Sequence, residues 1–178
     1  EGDTIHKTRG FLIVNGKMAG DNVCFIVNHW PSRLGGEKNS RPKREAAAAL
    51  TKHLADSLIQ ADPDSKVVIM GDLNDDPNNS STSKVLEAKK KQNEVKPGGY
   101  FNTMWPIFAK GIGSLAYQGQ WNLFDQIIIS SNLLGKDRST LKFIKAEVFN
   151  RDFLKQEEGK YKGYPKRTHA GGVYLNGY

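Results

Sequence analysis

The run Val67-Val68-Ile69-Met70-Gly71-Asp72-Leu73-Asn74-Asp75-Asp76-Pro77 constrains the fold of this chain more than any other stretch. An unbroken apolar segment ends abruptly in a glycine, an acid and an amide. Its length and branched side chains predict a buried β-strand. Gly71 and Pro77 punctuate a turn after it. Asp72 and Asn74 would then stand side by side at the end of a rigid strand. That placement suits a carboxylate that activates water and an amide that holds a phosphate oxygen. It equally suits an ordinary turn, where Asp and Asn serve the backbone.

Further elements follow the same logic. Residues 9–14 read as a strand with a turn at Asn15-Gly16, and residues 23–28 as a second apolar strand that ends in Asn28-His29. A basic, glycine-containing loop over residues 31–40 leads to a helix over 41–60. Ala47, Leu50, Leu54 and Leu58 recur there every three or four residues, which predicts one apolar face. Pro42 and Asp62-Pro63 punctuate its ends. A short helix or turn is expected over 80–88, a strand over 124–130 and another over 141–149. In the last, Ala146 and Val148 alternate with Lys145 and Glu147. Alternating strands and helices place the chain in the α/β class.

With 178 residues, a single domain with a real core is expected. No apolar run approaches the roughly 18 residues that a membrane span needs, and no secretory signal is visible. A soluble protein is expected, in a compartment the sequence leaves open, secreted or periplasmic included. The formal charge of +7 suggests an anionic partner such as a phosphate ester, a nucleic acid or a phospholipid head group. The lysine cluster over residues 84–96 reads as a solvated face or as a nucleic-acid contact. The single Cys24 excludes an intramolecular disulfide and reads as an inert buried thiol.

Three strand ends carry polar residues: Asn28-His29, Asp72 with Asn74, and Asp125. Ligand sites of α/β sheets gather at strand ends, so these three are expected to converge. The order Asn28-His29-Trp30-Pro31-Ser32-Arg33-x-Gly-Gly, then Arg44 in an alanine-rich helix, then Gly71-Asp72-Leu73-Asn74, then Trp121-x-x-x-Asp125-x-Ile127 resembles the endonuclease/exonuclease/phosphatase superfamily. The resemblance implies a four-layer α/β sandwich of the deoxyribonuclease-I type. It implies hydrolysis of a phosphate ester by an in-line water, with Mg²⁺ or alternatively Mn²⁺ as cofactor. Asp72 matches the acid that orients or deprotonates the water and is also a candidate metal ligand. Asn74 matches the amide on a phosphate oxygen. His29 matches a histidine that binds phosphate or assists the leaving group. Asp125 matches a carboxylate that orients a second histidine. Asn28, Arg33 and Trp121 are candidate substrate contacts, with Arg33 either on a phosphate or solvated on its loop.

Two parts of the family pattern have no counterpart here. An asparagine and a metal-binding glutamate would precede Arg9, and a Ser-Asp-His triplet would follow Tyr178. His169 lacks that context and reads as a loop residue. The expectation is therefore a single domain over residues 1–178, incomplete at both ends and covering mainly the second half of the sandwich. Alone it is expected to be inactive, with the missing half on the same longer protein or on a partner chain. The competing reading is a basic module that binds nucleic acid or a partner without catalysis. Aromatic residues over 100–105 and 117–121 could stack on a base or a sugar, or anchor their loops. The lysine- and tyrosine-rich segment 150–166 is a further place for substrate contacts.

Overall fold

Seven residue pairs knit the first two strands together in the computed structural model, which describes residues 9–170 and 172–175. Strands β1 (Leu12–Met18) and β2 (Asp21–His29) form an antiparallel ribbon from Leu12↔Val27 to Met18↔Asp21. The turn lies at Ala19 (φ 49°) and Gly20 (φ 89°), not at the expected Asn15-Gly16. Two positive φ values match the tight hairpin turn whose twist suits the flanking strands. The pairs Gly16↔Val23, Lys17↔Asn22 and Met18↔Asp21 extend the ladder beyond Asn15 and outweigh the local turn preference of Asn-Gly.

Helix α1 (Glu37–Ala61) carries the chain across to β3 (Lys66–Asp72), which lies parallel to β2. A parallel pair requires such a crossover. The buried stripe of α1 is Ser40, Arg44, Ala48, Thr51 and Ala55. It is rotated from the expected one: Leu50 is exposed, while Ala47, Leu54 and Leu58 pack at the margin of the core. Small Ala48 and Ala55 let the helix settle against Cys24, Ile26, Val67 and Ile69. Cys24 is buried as expected, and burial pushes its thiol pKa up.

Past β3 a π-helical turn over Ser81–Val85 packs on α1. Lys84, Lys89, Lys90, Lys91 and Lys96 are all exposed. Then come β4 (Tyr100–Asn102), the single turn α2 (Trp105–Phe108), the hairpin of β5 (Leu115–Tyr117) and β6 (Gln120–Asn122), and β7 (Asp125–Ser130). The main sheet runs in the order β1-β2-β3-β7-β4, with β7 antiparallel to both neighbours. The strand expected over 141–149 does not form. Its backbone bonds go elsewhere: Phe143 N–H donates to the Leu133 carbonyl at 2.7 Å, and Leu141 N–H to Asp21 Oδ2 at 2.6 Å. Phe143 meets Phe101 edge-on at 5.9 Å. His169 lies in β8 (His169–Ala170), paired with β9 (Val173–Tyr174), rather than in a loop.

The sheet has two unlike faces, because successive side chains alternate. One turns Cys24, Ile26, Val67, Ile69 and Ile128 under α1. The other carries Leu12, Val14, Phe25, Val27, Val68, Met70, Ile127 and Ile129. Phe143, Leu141 and Leu133 cover its Val68–Ile129 end. Leu12, Val14 and Ile127 stay exposed.

Candidate functional site

Register alone assembles the first part of the site. β2 pairs His29 with Asp72, and β7 pairs Asp125 with the same Asp72. The three side chains form a row across three adjacent strands, at the rim of the open sheet face. Behind them stands the row Val27, Met70, Ile127. His29 Nε2 lies 3.6 Å from Asp72 Oδ2, and both side chains are partly exposed. Asp125 is exposed, and its N–H donates to Ser114 Oγ at 3.3 Å.

The turn after β3 is fastened from both sides. Gly71 has φ 129°, and a Cβ on it would run into the Asn28 carbonyl. No other residue permits that approach. Asp72 Oδ1 accepts the Asn74 N–H at 2.9 Å, leaving Oδ2 toward His29. Asn74 is left-handed at φ 51°. One proton of its amide goes to the Trp30 carbonyl at 2.9 Å, and the group carries a second. Trp30 N–H donates to the Asp72 carbonyl at 3.0 Å, and Leu73 N–H to that of Phe124 at 2.8 Å. Thus the residues after β2 and those before β7 both grip the turn.

Beneath the turn lies a buried ionic layer. Asp75 is wholly buried; its Oδ1 is 2.8 Å from Arg44 Nε and 3.1 Å from Arg33 Nη2, and Ser81 Oγ donates to its Oδ2 at 2.6 Å. The Arg44 Nε contact is ionic, without hydrogen-bond alignment. Arg44 Nη1 donates to Ser40 Oγ at 2.8 Å. The Asp76 carboxylate accepts the Leu123 N–H at 2.7 Å and lies 3.5 Å from Arg33. Burial pushes the Asp76 carboxyl pKa up, against the downward pull of the Leu123 N–H and of Arg33. Gln126 Nε2 donates to the Asp75 carbonyl, and its Oε1 accepts from Asn102. Two arginines and two acids thereby hold the loop that carries Asn74.

The structure thus brings His29, Asp72, Asn74 and Asp125 into one region. Asn28 is turned away from it. Its side chain is buried, donates to the Ile26 carbonyl at 2.8 Å and accepts the Trp30 indole N–H at 3.1 Å. Arg33 is partly exposed, with its guanidinium already engaged by protein groups. It donates to the Asn74 carbonyl at 2.9 Å and to Asn79 Oδ1 at 3.1 Å, and its guanidinium stacks 4.4 Å over Phe124. Both residues brace the site as arranged. Trp121 lies on β6, with its ring 5.6 Å from that of Tyr164. Asp75, Asp76, Ser81 and Gln126 escaped the sequence reading. The signal that could have found them is a pair of acids directly after a buried strand, facing an arginine on the helix stripe.

The implied Mg²⁺ or Mn²⁺ needs several hard oxygen donors. Asp72 offers one. Among the described residues, no group of three or more His, Cys, Asp or Glu side chains is arranged to hold a metal. These residues by themselves do not fit a complete metal site.

The chain matches the model of the Endonuclease/Exonuclease/phosphatase family across residues 1–178. No curated protein matches it. Among solved structures, truncated TDP2 from Caenorhabditis elegans is 20% identical, with a TM-score of 0.46 over 67% of this chain and 45% of that one. Another TDP2 structure from C. elegans is 19% identical, with a TM-score of 0.46 over 67% and 35%. A beta toxin 275-280 from Staphylococcus aureus is 19% identical, with a TM-score of 0.43 over 69% and 43%. The chain spans less than half the length of these proteins.

Proposed function

This chain belongs to the endonuclease/exonuclease/phosphatase family, whose deoxyribonuclease-I-like α/β fold it shares, and from that membership we propose that it serves the hydrolysis of a phosphate ester by water. The observation that carries the reading is the row His29–Asp72–Asp125, held in register across three strands beside Asn74.

Phosphoryl transfer depends chiefly on positioning and on neutralising charge at the non-bridging oxygens. Asp72 has one oxygen fixed by the Asn74 N–H and the other free to orient a water and take its proton. His29, 3.6 Å away, donates to the phosphate or to the departing oxygen. The second amide proton of Asn74 reaches a non-bridging oxygen. Asp125 supports the far side of the row and orients a basic group brought against it. Asn28 and Arg33 are positioning residues that hold the strand end and the turn.

Family members generally use a divalent metal, and Mg²⁺, or Mn²⁺ in its place, would neutralise phosphate charge here. Among the described residues, Asp72 is the proposed donor. The remaining ligands are expected from outside the described residues, and the 178-residue chain alone is expected to turn over little.

The test is hydrolysis of bis(p-nitrophenyl) phosphate with Mg²⁺ by the natural full-length protein, with the 178-residue chain alongside. Metal-dependent turnover by the full protein, lost in Asp72→Asn, is the expected result. No turnover by the full protein with any divalent metal would overturn the phosphoesterase reading. In that case the basic, non-catalytic alternative would take its place. Robust turnover by the 178-residue chain would overturn the need for further ligands.

A further inference from the structure

A cavity lies between the β5–β6 hairpin and the loop over residues 156–167. Its volume is about 750 Å³, within the usual range for small-ligand sites. Three aromatic rings run beside it in a chain: Trp121 to Tyr164 at 5.6 Å, and Tyr164 to Tyr161 at 5.8 Å. Tyr161 and Tyr117 are more than half exposed. Lys160, Lys166 and Arg167 also line the cavity. Lys160 Nζ stands 5.7 Å from the Tyr161 ring, and neither Lys160 nor Arg167 has an acidic partner among the described residues.

The loop that carries Tyr161 and Tyr164 is fastened through its main chain. Gln156 N–H donates to the Tyr164 carbonyl, Gly163 N–H to that of Gln156, and Lys166 N–H to that of Leu154, each at 2.8 Å. The cavity is also tethered to the candidate site. Trp121 precedes Asp125 by four residues, so their Cα atoms are at most about 14 Å apart.

Building on the phosphoesterase reading, we infer that this cavity binds a single strand of nucleic acid, seating a base on Tyr161 and Tyr164 and its phosphates on Lys160 and Arg167. Flat rings with unpaired cations are the two requirements of a stacked, anionic strand. The cations argue against a cationic head group, since an aromatic cage for a quaternary ammonium gains nothing from neighbouring lysine and arginine. The bound strand would run from the cavity toward the row of Asp72.

The test is fluorescence anisotropy of fluorescein-labelled octathymidylate with the natural protein in EDTA, where hydrolysis does not interfere. Saturable binding that falls steeply with salt is expected. Tyr161→Ala, at an exposed ring, should weaken it roughly 5- to 100-fold. Lys160→Gln with Arg167→Gln should flatten the salt dependence by about 1.4 in log–log slope. Unchanged affinity in Tyr161→Ala overturns the inference, as does binding to phosphatidylserine vesicles without binding to the oligonucleotide. If Tyr161-dependent binding persists while the small diester is not hydrolysed, the phosphoesterase reading fails and this site stands. If the diester is hydrolysed and the oligonucleotide is not bound, this site alone fails.

Discussion

Arg44 Nε and Asp75 Oδ1 lie 2.8 Å apart, with both side chains fully excluded from solvent. Removing one member of a buried pair strands the other charge and typically costs about 3–5 kcal/mol. Arg33 and Ser81 would still face Asp75. Arg44→Met is therefore expected near the low end, about 3 kcal/mol, as a fall in the urea unfolding midpoint. An unchanged midpoint would show that the layer adds nothing to stability.

Gly71→Ala puts a Cβ against the Asn28 carbonyl at a φ of 129°. A side chain in such a backbone is strained, and here the neighbour is main chain, which cannot swing aside. The loss should exceed about 1 kcal/mol and be accompanied by weaker hydrolysis, as the β2–β3 contact beside His29 and Asp72 opens. Thermal unfolding and diester turnover read the two effects on one variant.

Asp72→Asn keeps the shape but removes the negative charge and the basicity. At a partly exposed rim it should leave the melting temperature almost unmoved. Turnover should fall by roughly 10²- to 10⁴-fold, the usual worth of a general acid or base. His29→Ala should fall within the same range. A variant with wild-type kcat/KM would remove that residue from the proposed chemistry.

Asp21 and Asp76 respond to acid in opposite directions. The Leu141 N–H first, and Lys66 second, hold the Asp21 carboxyl below its ordinary 3.8. A lowered folded value gives stability that is present above 3.8 and lost as pH falls through the lower folded value. Burial raises Asp76, so its contribution is present below 3.8 and lost as pH rises through the raised folded value. Asp21→Asn should therefore flatten the fall in stability below pH 3.8, whereas Asp76→Asn should remove a gain in stability that sets in above pH 3.8 as pH falls toward it. Urea midpoints on both sides of pH 3.8 check the two.

The strand Lys66–Asp72 and the start of β7 were legible because branched apolar residues give way abruptly to polar ones at both places. The convergence of their ends followed from the class of sheet. The buried stripe of α1 was not legible, because Ser40, Arg44 and Thr51 do not register in a hydrophobic pattern, although all three are buried. Asp75 and Asp76 looked like turn residues for the same reason; only the fold shows that arginines reach them. The alternation around Ala146 and Val148 misled, since a strand also needs a neighbour with free backbone groups. At Ala19-Gly20 a long ladder set the turn against local preference, placing an alanine in a left-handed conformation that its type disfavours.

His29, Asp72 and Asp125 share a row only in one alignment of β2, β3 and β7. Sliding β3 by a single residue would put Gly71 or Leu73 in the middle of that row and turn the carboxylate toward α1. There is no half-shifted arrangement with half the chemistry. On the proposed chemistry, activity would be a binary reporter of strand alignment. Misaligned molecules would lower the specific activity and leave KM unchanged.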